Sequence, residues 1–427
     1  MKHHILVILV ILFPGSMLVP ATPAWSGDWP RWRGPDATGH APNGVAAPVK
    51  LPAKPKVLWR LKVGYALGSP VVSEKRVFYL DEQSGKETVH SADAGSGKEL
   101  WRRTLDDTFR DGQSPPGPRG TPLVDAGRLY VLSCRGEFQC LNTTDGKVIW
   151  RVNFVKDLGA VFIGERGSAS GASRHGNTGS PFIDGDRMYV NVGGRKGASV
   201  VCFNKKTGTV IWKSQSDPSG HSGPVVATIA GARQVVSFTA NGVIGLAADD
   251  GKLLWREPVK TRLGRHCITP VVVNDMVIVS SYTAGLIGIK VSRDADAFSA
   301  ARAWVDKSSA INFANPVAIG NHLYGLGKTR KLICLDVPTG REVWTKEWTS
   351  SRIFGRGFAS FIVMKDRILG LAENGTLFLM SADAKAFEMI STVKVCGKNW
   401  CSPAYSGGRL FLRDTNELLC LQLVDRQ

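Results

Sequence analysis

Apolar and polar positions alternate along this chain in short runs, and the runs recur. Each recurrence opens on a small or polar residue, then Pro, then apolar residues: Ser69-Pro70-Val71-Val72, Thr121-Pro122-Leu123-Val124, Ser180-Pro181-Phe182-Ile183, Gly223-Pro224-Val225-Val226, Thr269-Pro270-Val271-Val272, Asn315-Pro316-Val317-Ala318 and Ser402-Pro403. Ala359-Ser360-Phe361-Ile362 fills the one remaining place and makes eight. The starts are 52, 59, 43, 46, 46, 44 and 43 residues apart, the length that four short strands and their turns require. A Pro at the head of a strand loses no ladder hydrogen bond.

A second signal sits later in each repeat, where a Gly is followed four residues on by Trp: Gly97 and Trp101, Gly146 and Trp150, Gly208 and Trp212, Gly251 and Trp255, Gly340 and Trp344, with Trp304 marking a degenerate copy. The Gly supplies the positive φ of a tight turn, and the Trp ring can fill the wedge between neighbouring units. Hairpins of β-branched and aromatic residues lie between the two signals, as in Arg128-Leu129-Tyr130-Val131-Leu132 turning at Arg135-Gly136 into Phe138-Gln139-Cys140-Leu141. Each repeat therefore predicts four strands and no helix.

Repeats of this kind predict an all-β fold, a single-domain eight-bladed β-propeller of four-stranded antiparallel blades. The eighth repeat runs from Ser402 to Leu423 and lacks a Trp strand, whereas an unpaired stretch, residues 57–63 around Trp59, precedes the first repeat. The two halves complement each other, so the N-terminal strand is expected to complete the last blade and leave no sheet edge open. The propeller then spans 57–423, with an extended segment at 27–56 and a short tail at 424–427. Residues 1–26 read as a removable signal peptide. Lys2 precedes an apolar run from Ile5 to Phe13, too short to span a bilayer comfortably, and small residues lead to a cleavage point after Ala24 or Ser26. The first Cys is Cys134, which argues against a lipid anchor at the cleavage site. The expected location is periplasmic or secreted.

Composition adds two constraints. With 43% hydrophobic and 21% charged residues, 47 Gly and 12 Trp among 427, the chain is globular and turn-rich, not disordered, collagenous or multispanning. The formal net charge is +18, and the signal peptide carries only one of those charges. An excess of this size implies acidic partners. No aromatic-interleaved basic motif accompanies it and export conflicts with nucleic acid, so a protein partner, an anionic ligand or a glycan is expected.

The repeat ends of the form Asp145-Gly146-Lys147-Val148-Ile149-Trp150, the segment Trp29-Pro30-Arg31-Trp32-Arg33-Gly34-Pro35, and Gly117-Pro118-Arg119-Gly120-Thr121-Pro122 resemble those of secreted bacterial propellers with repeats like the pyrroloquinoline quinone (PQQ) enzymes, the PQQ-like or BamB-like β-propellers of the quinoprotein alcohol dehydrogenase-like superfamily. Gly355-Arg356-Gly357 and Leu410-Phe411-Leu412-Arg413-Asp414 are similar to that family's closing blades. The resemblance covers nearly all of the chain after residue 26. It implies the fold firmly, and activity weakly, because the repeat is shared by dehydrogenases and assembly factors. The quinone enzymes imply a Ca²⁺ held by carboxylate and amide oxygens, a catalytic Asp and, in many cases, a pair of adjacent cysteines. This chain has no Cys-Cys pair.

The loops that lead into the innermost strands hold few carboxylates, whereas a hard dication needs oxygen ligands. They supply instead the funnel candidates Arg119, Arg174, His175, His221, Arg265, His266, Asn315, Arg356, Lys398 and Trp400. Convergence of these cations on one axis would focus a positive potential suited to an anion; each of them could equally brace a neighbouring turn. The histidines sit one per repeat without a short-spaced partner, so no metal site is expected, and no Gly-x-Ser-x-Gly elbow supports a catalytic serine. The Gly-rich stretch 164–171 lacks the Lys and the following helix of a phosphate loop.

Cys140, Cys202, Cys334 and Cys420 occupy one repeat position, where other repeats hold Ser91, Gly245, Gly288 and Leu379. They read as packed thiols in separate blades, and Cys396 with Cys401 is the expected disulfide, Cys267 being either a competitor for it or a free thiol. Two insertions, Arg102 to Gly120 and Arg151 to Gly179, account for the long first and second intervals of 52 and 59 residues. The second is expected either to cap the funnel or dock a partner through Ala160-Val161-Phe162-Ile163, or to cover a blade's hydrophobic edge. These readings together describe an exported, monomeric, non-enzymatic binding or scaffolding module without cofactor, one version being outer-membrane assembly. The alternative is a PQQ- and Ca²⁺-dependent dehydrogenase of an alcohol or sugar.

Overall fold

The computed structural model describes residues 27–112, 115–165, 169–347 and 351–424, so the expected signal peptide and the last three residues lie outside it. Thirty-two strands form eight four-stranded antiparallel sheets. Blade 1 runs Val71–Ser73, Arg76–Gln83, Lys86–Asp93 and Glu99–Asp107 from the axis outward. Blades 2 to 7 begin at Leu123–Asp125, Phe182–Asp184, Val225–Ile229, Val271–Val273, Val317–Ile319 and Ala359–Met364. Blade 8 begins at Ala404–Ser406 and takes its outermost strand, Lys56–Lys62, from the other end of the chain; Trp59 there lies opposite Cys420. The ring closes as the incomplete eighth repeat implies.

The Gly and Trp signals meet in space between successive blades, not within one. Each turn Gly has φ near +70° and lies against the Trp of the preceding blade: a Cβ on Gly97 would fall 2.8 Å from Trp59, one on Gly146 2.7 Å from Trp101, and one on Gly340 2.4 Å from Trp304. The indole N–H then crosses to a main-chain carbonyl of the next blade, Trp59 to Ala94 (3.1 Å), Trp101 to Thr143 (2.9 Å), Trp150 to Lys205 (3.1 Å), Trp212 to Ala248 (3.1 Å) and Trp304 to Val337 (2.8 Å). Gly208 and Gly251 sit in the same way on Trp150 and Trp212. Trp255 departs, bonding Gln234 of its own blade, because blade 5 replaces the glycine turn with the long hairpin Gly285–Asp294 and Ala297–Asp306. Trp344 departs too, and its N–H has no partner among the described residues.

The register explains the small-residue position. Cys140, Cys202, Cys334 and Cys420 lie directly across from Trp150, Trp212, Trp344 and Trp59, as Ser91, Gly245 and Gly288 lie across from Trp101, Trp255 and Trp304. A Cβ on Gly245 would sit 2.2 Å from the Trp255 ring, so only a small side chain shares the site with an indole. Blade 7 has no Trp and carries Leu379 there, opposite Ser391. All four cysteines are fully buried.

The segment 27–56 is more than an extended lead. Residues 29–41 cross the axis from blade to blade: Trp29 pairs with Val72 of blade 1, the Pro30 carbonyl accepts from Val124 of blade 2, Arg31 reaches the Ile183 carbonyl of blade 3, Trp32 the Thr269 hydroxyl before blade 5, Arg33 the Pro316 carbonyl before blade 6, and Ala41 the Val363 carbonyl of blade 7. It forms a floor to the axial opening.

Two expectations are corrected. Helix is present, in the second insertion: α1 (Phe154–Leu158), capped by Asn153, and α2 (Gly171–His175), which follows the Gly-rich stretch, with a 3₁₀ turn at Ser351–Phe354. Short turns of this kind arise because Asn153 offers its side chain to the Val155 and Lys156 amides and buried Phe154 anchors the turn. Cys396 and Cys401 are not joined: the Cys396 thiol lies on the Gly397 carbonyl (3.4 Å) and the Cys401 thiol on Ala66 (3.7 Å), so each is held by a different main-chain group. All eight cysteines are free thiols. Among the described residues, no helix is long and apolar enough to cross a membrane.

Candidate functional site

The axial opening above that floor is a cavity of about 490 Å³. Its walls follow the repeat. Three residues before each strand-leading Pro, or before Phe361, which the strand register puts in the place of Pro in blade 7, the side chain lines the cavity in every blade. In blades 2 to 5 this position holds Arg119, Thr178, His221 and Cys267; in blades 6, 7, 8 and 1 it holds Phe313, Phe358, Trp400 and Leu67. Eightfold geometry with unequal sequence thus gives a cavity with one polar half and one apolar, largely aromatic half. Two residues earlier again, Tyr65, Arg265, Arg356 and Lys398 also line it, and deeper, Thr121, Ser180, Thr269 and Asn315 supply hydroxyls and an amide.

The aromatic half is a packed set. Phe358 and Trp400 are parallel within 5° at a centroid distance of 5.9 Å, and Phe313 tilts against Trp400 at 4.8 Å. The polar half is organised by Arg119, which donates to the His175 carbonyl (2.5 Å) and to Asp111 (2.8 Å), whose carboxylate also lies 3.3 Å from His175 Nδ1. Burial, with the nearby His175, Arg119 and Arg265 adding to it, pushes His221 down to about 3, so this imidazole is neutral in ordinary buffers. Cys267 and Cys401 at the wall are pushed up to about 11 by burial and are not thiolates. His175 Nε2, His221 Nδ1 and Asn399 Oδ1 have no hydrogen-bond partner among the described residues.

Of the ten funnel candidates, eight line the cavity: Arg119, His175, His221, Arg265, Asn315, Arg356, Lys398 and Trp400. The other two are elsewhere. His266 is fully buried, stacked on Phe238 at 4.1 Å, with its ring nitrogens on the Thr239 carbonyl (2.6 Å) and the Thr261 hydroxyl (3.2 Å), which makes it a brace between turns. Arg174 belongs to α2 and lies outside the cavity wall. The chain also brings in residues that the loop reading passed over. Trp32 comes from the floor, Asp111 from the first insertion, and Tyr65 and Asp414 from blade 8's two ends; Phe313 and Phe358 share the repeat position of Trp400, a signal present in the alignment of the repeats.

The insertions meet over blades 2 and 3. Phe109 of the first stands edge-on to Phe162 of the second at 4.8 Å, the Gly112 amide donates to Glu165 (2.7 Å), and Ala160 bridges to Gly194 of blade 3. They bring Asp111, Glu165 and His175 within 4.8 Å of one another, a grouping able to hold a metal ion that contrasts with the isolated histidines of the sequence. Arg119 already neutralises Asp111 there. The Asp414 carboxylate is taken up by the Gly397, Asn416 and Glu417 amides. The donor set open to the cavity is thus cationic, hydroxylic and amidic, which does not fit the oxygen-rich Ca²⁺ site of the quinone enzymes.

Comparison with known proteins places this geometry. The outer membrane protein assembly factor BamB of Moranella endobia (strain PCIT) is 21% identical over 388 residues, 85% of this chain and 89% of that one. The dehydrogenase subunit of a quinone alcohol dehydrogenase of Gluconobacter oxydans is 26% identical over 200 residues, covering 43% of this chain and 23% of that protein. Among solved structures, BamB from Moraxella catarrhalis superposes with a TM-score of 0.59 at 14% identity, covering 88% of this chain and 99% of that one, a likeness of fold. The family model described as outer membrane protein assembly factor BamB matches residues 85–346, from blade 1 through blade 6, and on that match the chain belongs to this family of PQQ-like propellers.

Proposed function

We propose that the chain is an exported scaffold of the cell envelope, periplasmic or secreted, that works as a monomer, binds a protein partner and performs no chemistry of its own. Membership of a family described by an assembly factor carries the reading. The fold gives it a means. Five of the eight blade junctions are locked by Trp and Gly contacts, and the outermost strands expose apolar side chains such as Leu100, Ile149, Ile211, Leu253 and Val343 beside an unpaired strand edge. An extended segment of a partner can add to such an edge through main-chain hydrogen bonds. Outer-membrane assembly is the version that the relatives' name supports.

Two measurements test this. Deleting the gene in its host should lower the level of folded outer-membrane β-barrels and raise sensitivity to detergent; unchanged envelope composition would remove the assembly version. Adding PQQ with Ca²⁺ to the purified protein and following dye reduction with alcohols and sugars tests the absence of chemistry, and saturable turnover would overturn it.

A further inference from the structure

We propose that the axial cavity is a binding site for an acidic sugar, with the sugar ring stacked on Trp400 and Phe313 and its carboxylate held at the mouth by Arg356, Lys398 and Arg265. This site is separate from the outer strand edges and does not depend on the partner reading.

Three observations combine. A pyranose ring has an apolar C–H face and a polar edge, and the cavity offers the matching halves: Phe313, Phe358 and Trp400 on one side, Arg119, Thr178 and His221 on the other. Aromatic faces and convergent hydrogen-bonding groups in a preformed cleft of a few hundred Å³ are what a small-ligand site requires. Hydrogen-bonding capacity is left over. Thr121 accepts from the Ser69 amide and Thr269 from Trp32, which leaves each hydroxyl's own proton to donate; the Asn315 carbonyl is taken by the Thr269 amide and its NH₂ is not. His175 Nε2 and Asn399 Oδ1, in two residues that are each at least 97% buried, have no partner among the described residues. A polyhydroxylated ligand, or water held in its place, satisfies such groups, whereas an apolar one does not.

The mouth selects the charge. Arg265, Arg356 and Lys398 occupy the same repeat position in blades 5, 7 and 8, which sets them above and beside the aromatic half. Arg356 is exposed and makes no ion pair among the described residues, and Lys398 is 3.5 Å from Glu373. The Trp32 floor closes the far end, so a ligand enters and leaves by the mouth with its acidic group toward these cations.

The test titrates the full mature chain with trigalacturonic acid, with maltotriose as the neutral trisaccharide and with benzoate as a flat aromatic acid, followed by calorimetry and tryptophan fluorescence. Saturable binding of trigalacturonic acid, at least tenfold tighter than either of the others, is expected. Trp400→Leu should weaken it at least tenfold, with Phe313→Leu as the second variant should the first lower the melting temperature. Arg356→Gln should reduce the preference for trigalacturonic acid over maltotriose, Lys398 and Arg265 retaining part of it. Failure of trigalacturonic acid to saturate, binding indifferent to the Trp400 and Phe313 variants, or an unchanged preference in Arg356→Gln would overturn the proposal, as would tighter binding of benzoate.

Discussion

Replacing Trp59 by Phe and Trp344 by Phe isolates the inter-blade hydrogen bond from the packing of the ring. Both indoles are 8% exposed, both lie across from a buried cysteine, and both pack at an angle against an aromatic ring, Phe411 at 5.9 Å for Trp59 and Phe387 at 5.3 Å for Trp344. The loss of ring volume is therefore common to the two and costs about 1–2 kcal/mol. They differ at the N–H. Trp59 donates to the Ala94 carbonyl of blade 1, and its loss leaves that carbonyl without the donor, a further cost of about 1 kcal/mol. The Trp344 N–H is buried and unpartnered, and removing it relieves about 1 kcal/mol of desolvation. Trp59→Phe should thus be less stable than Trp344→Phe by about 2 kcal/mol. Equilibrium urea unfolding followed by far-UV circular dichroism, with equal denaturant slopes, measures the difference. Equal stabilities, or a costlier Trp344→Phe, would refute the idea that the indole N–H fastens one blade to the next.

Other outcomes are equally specific. Gly245→Ala should cost about 1–3 kcal/mol because its Cβ meets the Trp255 ring at 2.2 Å, while Cys202→Ala at the same repeat position should cost about 1 kcal/mol or less; comparable melting shifts would contradict the register argument. Glu87 is fully buried and burial raises it to about 7; the fold is then favoured while this carboxyl is protonated, in full below about 4.5, and the contribution, at most about 3 kcal/mol, fades as pH rises through 7. Glu87→Gln should flatten that slope between pH 5 and 8, and an unchanged slope would exclude the group. Arg33, buried and held at about 10 by desolvation, donates to the Thr38 and Pro316 carbonyls (2.8 and 2.7 Å); Arg33→Met should raise amide exchange over residues 29–41 before it changes global melting. Removing residues 1–63 takes both the floor and the fourth strand of blade 8, and a melting temperature that does not fall would mean the ring closes by other means.

The blades were legible because a repeat states its rule eight times. The Pro-led strands, the Gly turns and the small residue opposite each Trp are local requirements of φ, of hydrogen bonding and of volume, and most copies repeat them. Eight of ten funnel candidates reach the cavity for the same reason: their loops feed equivalent strands. His266 was misplaced because one residue's shift along a loop turns the side chain from the axis into the turn, where Phe238 covers it. Asp111, Trp32 and the short helices fall outside the repeat, and nothing periodic announces where an insertion folds back.

Sequence alone determined that this is a closed eight-bladed ring, that its first strand finishes its last blade, and that a basic excess belongs to the propeller, since each follows from periodicity and counting. Tertiary structure decided what stands at the axis. The Trp29 to Ala41 segment becomes a floor only because six blades offer it separate partners, the two insertions deliver Asp111 and His175 to Arg119, and Cys396 and Cys401 are drawn to different carbonyls. Apart from the adjacent Cys396 and Gly397 and from Asp111 and Arg119, eight positions apart, these contacts join residues tens to hundreds of positions apart, so their energies depend on distances that the closed ring sets and that no local pattern encodes.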